Sequence, residues 1–124
     1  MKVHAADSLI TFETPNASVT PLATKRLGAE QVSVIRQRME SGRRNPLHAH
    51  MAEEVMVMLD GTVEVTVDGT AWQLAAGDIL IVPGGAPHSI ENASGRDAEW
   101  LIVSPSGMQF LMPDGQAMTP PWAE

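Results

Sequence analysis

The sequence predicts an all-β fold, and three patterns in its central part carry this prediction. The segment 63–67 (VEVTV) alternates apolar and polar residues, as a strand with one buried face does. An Asp-Gly dipeptide at 68–69 follows it and is a strong signal for a two-residue hairpin turn. The apolar run 79–82 (ILIV) then ends at a Pro-Gly-Gly bend, where glycine permits backbone angles that other residues resist. Short strands joined by tight turns are therefore expected.

Length and composition limit the possible classes of protein. A chain of 124 residues can bury a real core but is too short for two, so residues 1–124 are predicted to form a single domain. Apolar residues make up 44% of the chain, but no run approaches the ~18 apolar residues of a membrane span, and no basic-then-apolar leader opens the sequence. A soluble cytoplasmic protein with no membrane partner is therefore expected.

Net charge and cysteine content argue against nucleic-acid binding and exclude cysteine chemistry. The net charge is −7, with only eight Lys and Arg residues. Such a surface repels phosphate backbones, so nucleic acid is not an expected partner. The chain has no cysteine, which removes disulfides, thiolate metal ligands and thiol nucleophiles together.

The N-terminal third is predicted to hold two strands. A short strand is expected at 9–13 (LITFE), after which Pro15 and Pro21 interrupt regular structure. The segment 31–40 (QVSVIRQRME) alternates loosely and ends at a Ser-Gly turn, as a strand would. His4 stands alone before these strands, and both a surface position and a role as a fifth metal ligand are open for it.

Metal-capable side chains are concentrated in the stretch 42–61 (GRRNPLHAHMAEEVMVMLDG). His48, His50 and Glu54 stand at even spacings, so an extended backbone points all three side chains to one face. Beyond the Pro-Gly-Gly bend, His88 is expected to return toward them. Three imidazoles and one carboxylate suit one divalent transition metal (iron, manganese, nickel, cobalt, copper or zinc) better than magnesium or calcium.

Two methionines share the predicted face of these ligands. The strand 54–59 (EVMVML) places Met56 and Met58 on the side of Glu54, and its other side is apolar as well. A thioether can ligate a soft metal such as copper, but filling an irregular pocket is the commoner role of methionine. Glu53 is expected to point away from this face into solvent.

The C-terminal part is predicted to begin with the last main strand at 99–104 (EWLIVS). The segment 105–116 contains an apolar patch around Phe110 that a surface tail would not carry without cover. A short helix or flap over the mouth of a pocket, packing along the side of the fold, and packing across a dimer are all open for it. Residues 117–124 are expected to form an extended tail.

The spacing of the metal-capable residues and the glycines around them resembles the two cupin motifs. The first motif is matched, at intervals of five, one, three and six residues, by Gly42, His48, His50, Glu54 and Gly61. The second is matched, at intervals of five, one, two and three residues, by Gly77, Pro83, Gly85, His88 and Asn92. Fifteen residues separate the motifs, which is within the range of such proteins.

The resemblance implies a fold and an assembly. The fold would be a double-stranded β-helix, the jelly-roll barrel of cupins, with its core at about 32–104 and with 105–124 as a C-terminal flap or tail. An N-terminal strand in cupins often pairs with a neighbouring subunit, so the resemblance also implies a homodimer.

The usual phase of cupin strands implies which side chains line the interior. Ile35 and Gln37 would point inward, and a buried amide must find hydrogen-bond partners. Gln37 is therefore a candidate catalytic residue for contacting a metal-bound water or the substrate; a bond to a neighbouring strand is the alternative. The expected substrate pocket is lined by Ile35, Gln37, Met56, Met58 and Ile90, which favours a partly apolar small molecule.

Cupins with this ligand pattern include dioxygenases, oxalate-degrading enzymes, isomerases, cyclases and binding proteins. The first hypothesis is a metal-dependent enzyme, such as a dioxygenase acting on a small, partly apolar organic substrate with adjacent oxygens; an isomerase or a cyclase remains open. The second is a non-catalytic binding or sensing protein in which the metal anchors a small molecule. The third is a purely structural metal that holds the two sheets together.

Overall fold

The computed structural model describes residues 1–124 as an all-β chain of two six-stranded antiparallel sheets. In chain order the strands are β1 (Phe12–Glu13), β2 (Ser18–Ala23), β3 (Val32–Met39), β4 (Arg44–His50), β5 (Glu54–Asp60), β6 (Thr62–Val67), β7 (Thr70–Ala75), β8 (Ile79–Val82), β9 (His88–Glu91), β10 (Ala98–Pro105), β11 (Phe110–Leu111) and β12 (Ala117–Met118). Three short 3₁₀ turns complete the chain, at Ala6–Ser8, Lys25–Leu27 and Pro121–Ala123.

Consecutive strands cross repeatedly between the two sheets. The first sheet has the order β1-β2-β3-β10-β5-β8, and the second has the order β12-β11-β4-β9-β6-β7. From β3 to β10 the chain therefore alternates between them, staying in one sheet only for the β6–β7 hairpin. This alternation is the connectivity expected of a jelly roll. The prediction of an all-β jelly-roll fold is confirmed.

One hydrophobic core lies between the facing sheets. Alternate residues of each strand point into it, as the period of two requires. The first sheet contributes Met39, Met56, Met58, Trp100 and Ile102, and the second contributes Val63, Val65, Leu74 and Ile90. Trp100 and Met39 are completely buried.

The β6–β7 hairpin forms where the Asp-Gly dipeptide predicts it. Val67 pairs with Thr70, which leaves Asp68 and Gly69 as the two-residue loop. Both have positive φ angles, 49° and 81°, as a type I′ turn requires. The twist of this turn matches the twist of the strands it joins, so the hairpin needs no longer connection.

The structure corrects the N-terminal prediction. The strand expected at 9–13 is reduced to the two residues of β1. Pro15 lies in the bend between β1 and β2, as expected, but Pro21 does not interrupt regular structure, because it lies within the six-residue strand β2. Pro21 is accommodated at a register shift between β2 and β3. A bulge tolerates proline because the missing N–H is not needed in the ladder there.

The C-terminal segment folds back onto the second sheet. Strand β11 pairs with β4, with Phe110 opposite His50, and β12 pairs with β11. The expectation of an extended tail for 117–124 is wrong, because Trp122 packs against the core and Glu124 forms a 2.9 Å ion pair with Arg26. Residues 105–124 therefore form a two-stranded flap and a final 3₁₀ turn, not a short helix.

The outer surface of the first sheet is partly apolar. Ile79 and Ile81, on the edge strand β8, are 62% and 60% exposed.

The homodimer that the resemblance implies stays a prediction. Each helical turn of the structure is only three residues long, so none could cross a membrane.

Candidate metal centre

The four predicted ligands meet between the two sheets. Strand β4 carries His48 and His50 on the same face, and the antiparallel pairing of β4 with β9 sets His48 directly opposite His88. Glu54 comes from the other sheet, at the first position of β5. The short connection 51–53 between β4 and β5 brings the carboxylate across to the imidazoles. Two sheets and two distant parts of the sequence therefore build one cluster.

The nitrogens of the three imidazoles lie close to one another and to the carboxylate. One nitrogen of each ring lies within 4.8 Å of those of the others. The Nε2 atoms of His48 and His50 are 3.2 Å apart, and His50 Nε2 is 2.9 Å from Glu54 Oε2. His88 Nε2 is 3.9 Å from Glu54 Oε1. All three Nε2 atoms and the carboxylate therefore face one small volume.

Backbone carbonyls orient two of the rings. His48 Nδ1 donates to the carbonyl of Pro46 at 2.7 Å, and His88 Nδ1 donates to the carbonyl of Ala86 at 2.9 Å. A carbonyl oxygen can only accept a hydrogen bond, so each Nδ1 carries the proton. Each Nε2 is then left with a lone pair that points at the cluster, which is how metal-binding histidines are usually held.

The cluster has the properties expected of a metal site. His88 Nε2 is buried and has no hydrogen-bond partner in the chain, which is costly unless something else binds it. A cation at the centre would satisfy this lone pair and those of the neighbouring rings. The imidazole and carboxylate donors match borderline divalent transition metals. The residues present therefore fit such an ion.

Burial favours the neutral form of the His48 and His88 imidazoles. Desolvation lowers the pKa of His48 from 6.5 to about 4, and the neighbouring rings of His88 and His50 lower it further, while the Pro46 carbonyl and Glu54 oppose the shift. Desolvation is also the main cause of the lowered pKa of His88. Neutral imidazole is the form that binds metal, so protons compete weakly with an ion at neutral pH.

A pH dependence of stability follows from these shifts. Acidifying the metal-free protein from pH 6.5 to about 4 should lower its free energy of unfolding by as much as about 3 kcal/mol, because the unfolded state takes up a proton that folded His48 does not. Urea denaturation across this range measures the slope. The variant His48→Gln should show a shallower slope, and an unchanged slope would contradict the role of His48.

The cluster lies at the base of a cavity of about 220 Å³. Its wall is largely apolar, with Ile35, Ile90 and Ile102 contributed by the sheets. The C-terminal segment covers it with Met108, Phe110, Met112, Met118 and Trp122. The titratable side chains of the wall are those of the candidate metal cluster: His48, His50, Glu54 and His88.

Phe110 is the part of the cover that touches the candidate ligands. Its ring centroid lies 4.6 Å from that of His50 and 5.1 Å from that of His48. The apolar patch around Phe110 indicated a covered segment in the sequence, but not which side chains it covers. Trp122, which also lines the cavity, carried no signal in the sequence.

The predicted pocket residues divide into two groups. Ile35, Gln37 and Ile90 line the cavity. Met56 and Met58 do not, because they share the face of Glu54 but lie further along β5, where both are buried in the core. The thioethers fill space there instead of facing a ligand.

The remaining predicted residues lie outside the cavity. His4 is exposed and its Nε2 bonds to the carbonyl of Leu27 at 2.7 Å, so it is not part of the cluster. Glu53 is exposed.

Comparison with known proteins extends these observations. The family model described as "Cupin domain" matches residues 35–104. Quercetin 2,3-dioxygenase from Bacillus subtilis is 42% identical over 52 residues, covering 41% of this chain and 15% of the dioxygenase. The HTH-type transcriptional regulator NimR from Escherichia coli is 25% identical over 64 residues, covering 52% of this chain and 23% of the regulator. The chain thus spans less than a quarter of either protein.

A solved structure of similar fold covers more of the chain. The polyketide cyclase RemF from Streptomyces resistomycificus superposes with a TM-score of 0.74 at 20% identity, over 85% of this chain and 79% of the cyclase. At 20% identity, this similarity shows a shared fold and nothing more.

Proposed function

This chain belongs to the cupin domain family, and we propose that it is a mononuclear metal-dependent enzyme, a dioxygenase acting on a small, partly apolar organic substrate with adjacent oxygens. The observation that carries the proposal is the convergence of three imidazoles and one carboxylate at the base of a covered, largely apolar cavity.

His48, His50, Glu54 and His88 would hold the metal. A divalent transition ion bound there would supply Lewis-acid chemistry and a site at which dioxygen and a chelating substrate can meet. Iron, manganese, nickel and cobalt accept six ligands, so four protein side chains would leave positions open to small molecules. Zinc is satisfied by four ligands, so a zinc ion would favour a structural role.

The cavity wall would bind and orient the substrate. Ile35, Ile90 and Ile102 offer an apolar surface to the body of a ligand, and Phe110 keeps bulk water away from the imidazoles. A cavity of about 150 Å³ can hold benzene, so one of about 220 Å³ is suited to a single substituted ring or an open-chain compound of similar size. A larger substrate would require the flap to move.

Two further observations support metal-centred oxygen chemistry. The titratable groups of the cavity wall belong to the cluster itself, so a separate acid and base pair is not available there. The match to a quercetin dioxygenase, although it covers a small part of that enzyme, lies with a protein whose reaction consumes oxygen.

A second candidate is a binding or sensing protein in which the metal anchors a small molecule without chemistry. The match to an HTH-type transcriptional regulator over 64 residues supports this candidate. The same cavity and cluster would serve this role.

Oxygen uptake distinguishes the two. The protein is loaded with iron or zinc and mixed with quercetin or with the smaller diketone pentane-2,4-dione in an oxygen electrode. We expect uptake that requires both iron and an organic compound and that His88→Ala abolishes. Binding of these compounds without uptake by any metal form would favour the sensor, and a closed four-coordinate zinc site would favour a structural metal.

A further inference from the structure

The amide of Gln37 is held by a single, directional contact. Its Oε1 accepts a hydrogen bond of 3.1 Å from Trp100 Nε1, and the two residues lie opposite each other on β3 and β10. Trp100 is completely buried and Gln37 is 8% exposed. An indole N–H can only donate, so the atom of the amide that faces it must be the oxygen. The contact therefore fixes which way the amide is turned.

The other end of the amide is free for a ligand. The Nε2 atom of Gln37 makes no hydrogen bond within the chain, and it is not among the buried atoms that lack a partner. Gln37 lines the cavity, whereas Trp100 does not and is buried in the core. Two N–H donors without a protein partner are thus presented at the cavity wall, next to the cross-strand pair of Ile35 and Ile102.

We propose that Gln37 determines substrate specificity by donating from Nε2 to an acceptor oxygen of the substrate, a carbonyl or enolate, and that Trp100 positions it. This rests on the proposed function in that it requires a small molecule in this cavity. The NH2 group of an amide can only donate, so at this point of the wall it favours ligands with an acceptor oxygen, and a ligand without one leaves it unpaired. The substrate class is therefore a compact carbonyl or enol compound with an apolar body.

The test uses maltol, a single-ring compound with adjacent hydroxyl and carbonyl oxygens, and the nickel-loaded protein, because nickel leaves positions open to a small molecule. Gln37→Leu removes the donors and should weaken maltol binding by about tenfold, the value of one neutral hydrogen bond. Gln37→Glu retains the size and an acceptor for the Trp100 N–H but presents an oxygen to the cavity, and it should weaken binding at least as much. Nickel affinity should stay within about twofold of the wild type in both variants.

Vibrational spectroscopy adds a readout that a purely structural role would not move. A hydrogen bond lowers the stretching frequency of a carbonyl, so the carbonyl band of bound maltol should lie higher in Gln37→Leu than in the wild type. Trp100→Phe should weaken maltol binding by about threefold when Gln37 is present and have no further effect when residue 37 is leucine. An equal effect in both backgrounds would show that Trp100 acts only through packing.

The outcomes separate this inference from the proposed function. Wild-type affinity and an unshifted carbonyl band in both Gln37 variants would overturn it, as would a wild-type protein that does not bind maltol. Binding that depends on Gln37 without any oxygen uptake would support the inference and count against the dioxygenase. Oxygen uptake together with ligand binding that does not depend on Gln37 would support the dioxygenase and count against the inference.

Discussion

His88→Ala is expected to lower the affinity of the protein for zinc or iron by about 100-fold or more. The Nε2 atom of His88 is buried without a partner and faces the same volume as Glu54 and the other imidazoles. Even groups outside the ligand shell typically change metal affinity by ~10–100-fold, so loss of a ligand should cost at least that much. Competition against a chelator of known affinity measures the effect.

The chain supplies its own control for this substitution. His4 is the histidine outside the cluster, exposed and bonded to the Leu27 carbonyl, so His4→Ala should leave the affinity unchanged. Thermal denaturation with and without zinc checks that both variants fold, because a bound ion stabilises the folded state. Equal affinities for His88→Ala and His4→Ala would mean that His88 does not bind the metal.

Gly61→Ala is expected to lower the free energy of unfolding by about 3 kcal/mol or more. Gly61 has a φ of +76°, and a Cβ added there would lie 2.5 Å from the Asp97 carbonyl oxygen and 2.8 Å from Ala98 Cα. Both contacts are with backbone at the start of β10, which cannot move aside as a flexible side chain would. Left-handed strain of ~1–2 kcal/mol and overpacking of ~1–3 kcal/mol therefore add.

Gly77→Ala is the matched control. Gly77 also has a positive φ, +92°, but no atom lies within 4 Å of the position of an added Cβ. Only the conformational strain remains, so the loss should be about 1 kcal/mol. Urea denaturation of the two variants compares them directly, and equal losses would show that close packing against β10 is unimportant.

The sequence predicted the candidate site because the relevant signals are local and periodic. His48 and His50 are two residues apart on one strand, so alternation alone places both rings on one face. His88 is distant in sequence, and its place beside them was predicted from the Pro-Gly-Gly bend before it and from the resemblance of its surroundings to a second motif. The structure then sets it opposite His48, in the neighbouring strand.

The position along a strand at which inward side chains stop lining the cavity and join the core could not be predicted in the same way. Alternation correctly places Met56 and Met58 on the face of Glu54, but it does not tell where the interior stops being a cavity and becomes a core. That boundary depends on the side chains that the facing strands contribute, Trp100 among them. Such contacts are between residues far apart in sequence.

Two other differences have a similar origin. Pro21 suggested a break, but a register shift between β2 and β3 accommodates it within a strand. Trp122 lies in a segment that was expected to be an extended tail, and no buried position was predicted for it. It nevertheless packs against the core and lines the cavity. In both cases tertiary contacts override the local preference of the chain.

X-ray absorption spectroscopy of the protein isolated without added metal tests most directly whether these four side chains share one ion. We expect about one metal ion per chain, surrounded by three imidazoles and a carboxylate at ~2.0–2.2 Å, with one imidazole fewer in His88→Ala. A metal whose surroundings contain no imidazole, or are the same in His88→Ala, would contradict the assignment of His48, His50, Glu54 and His88 as its ligands.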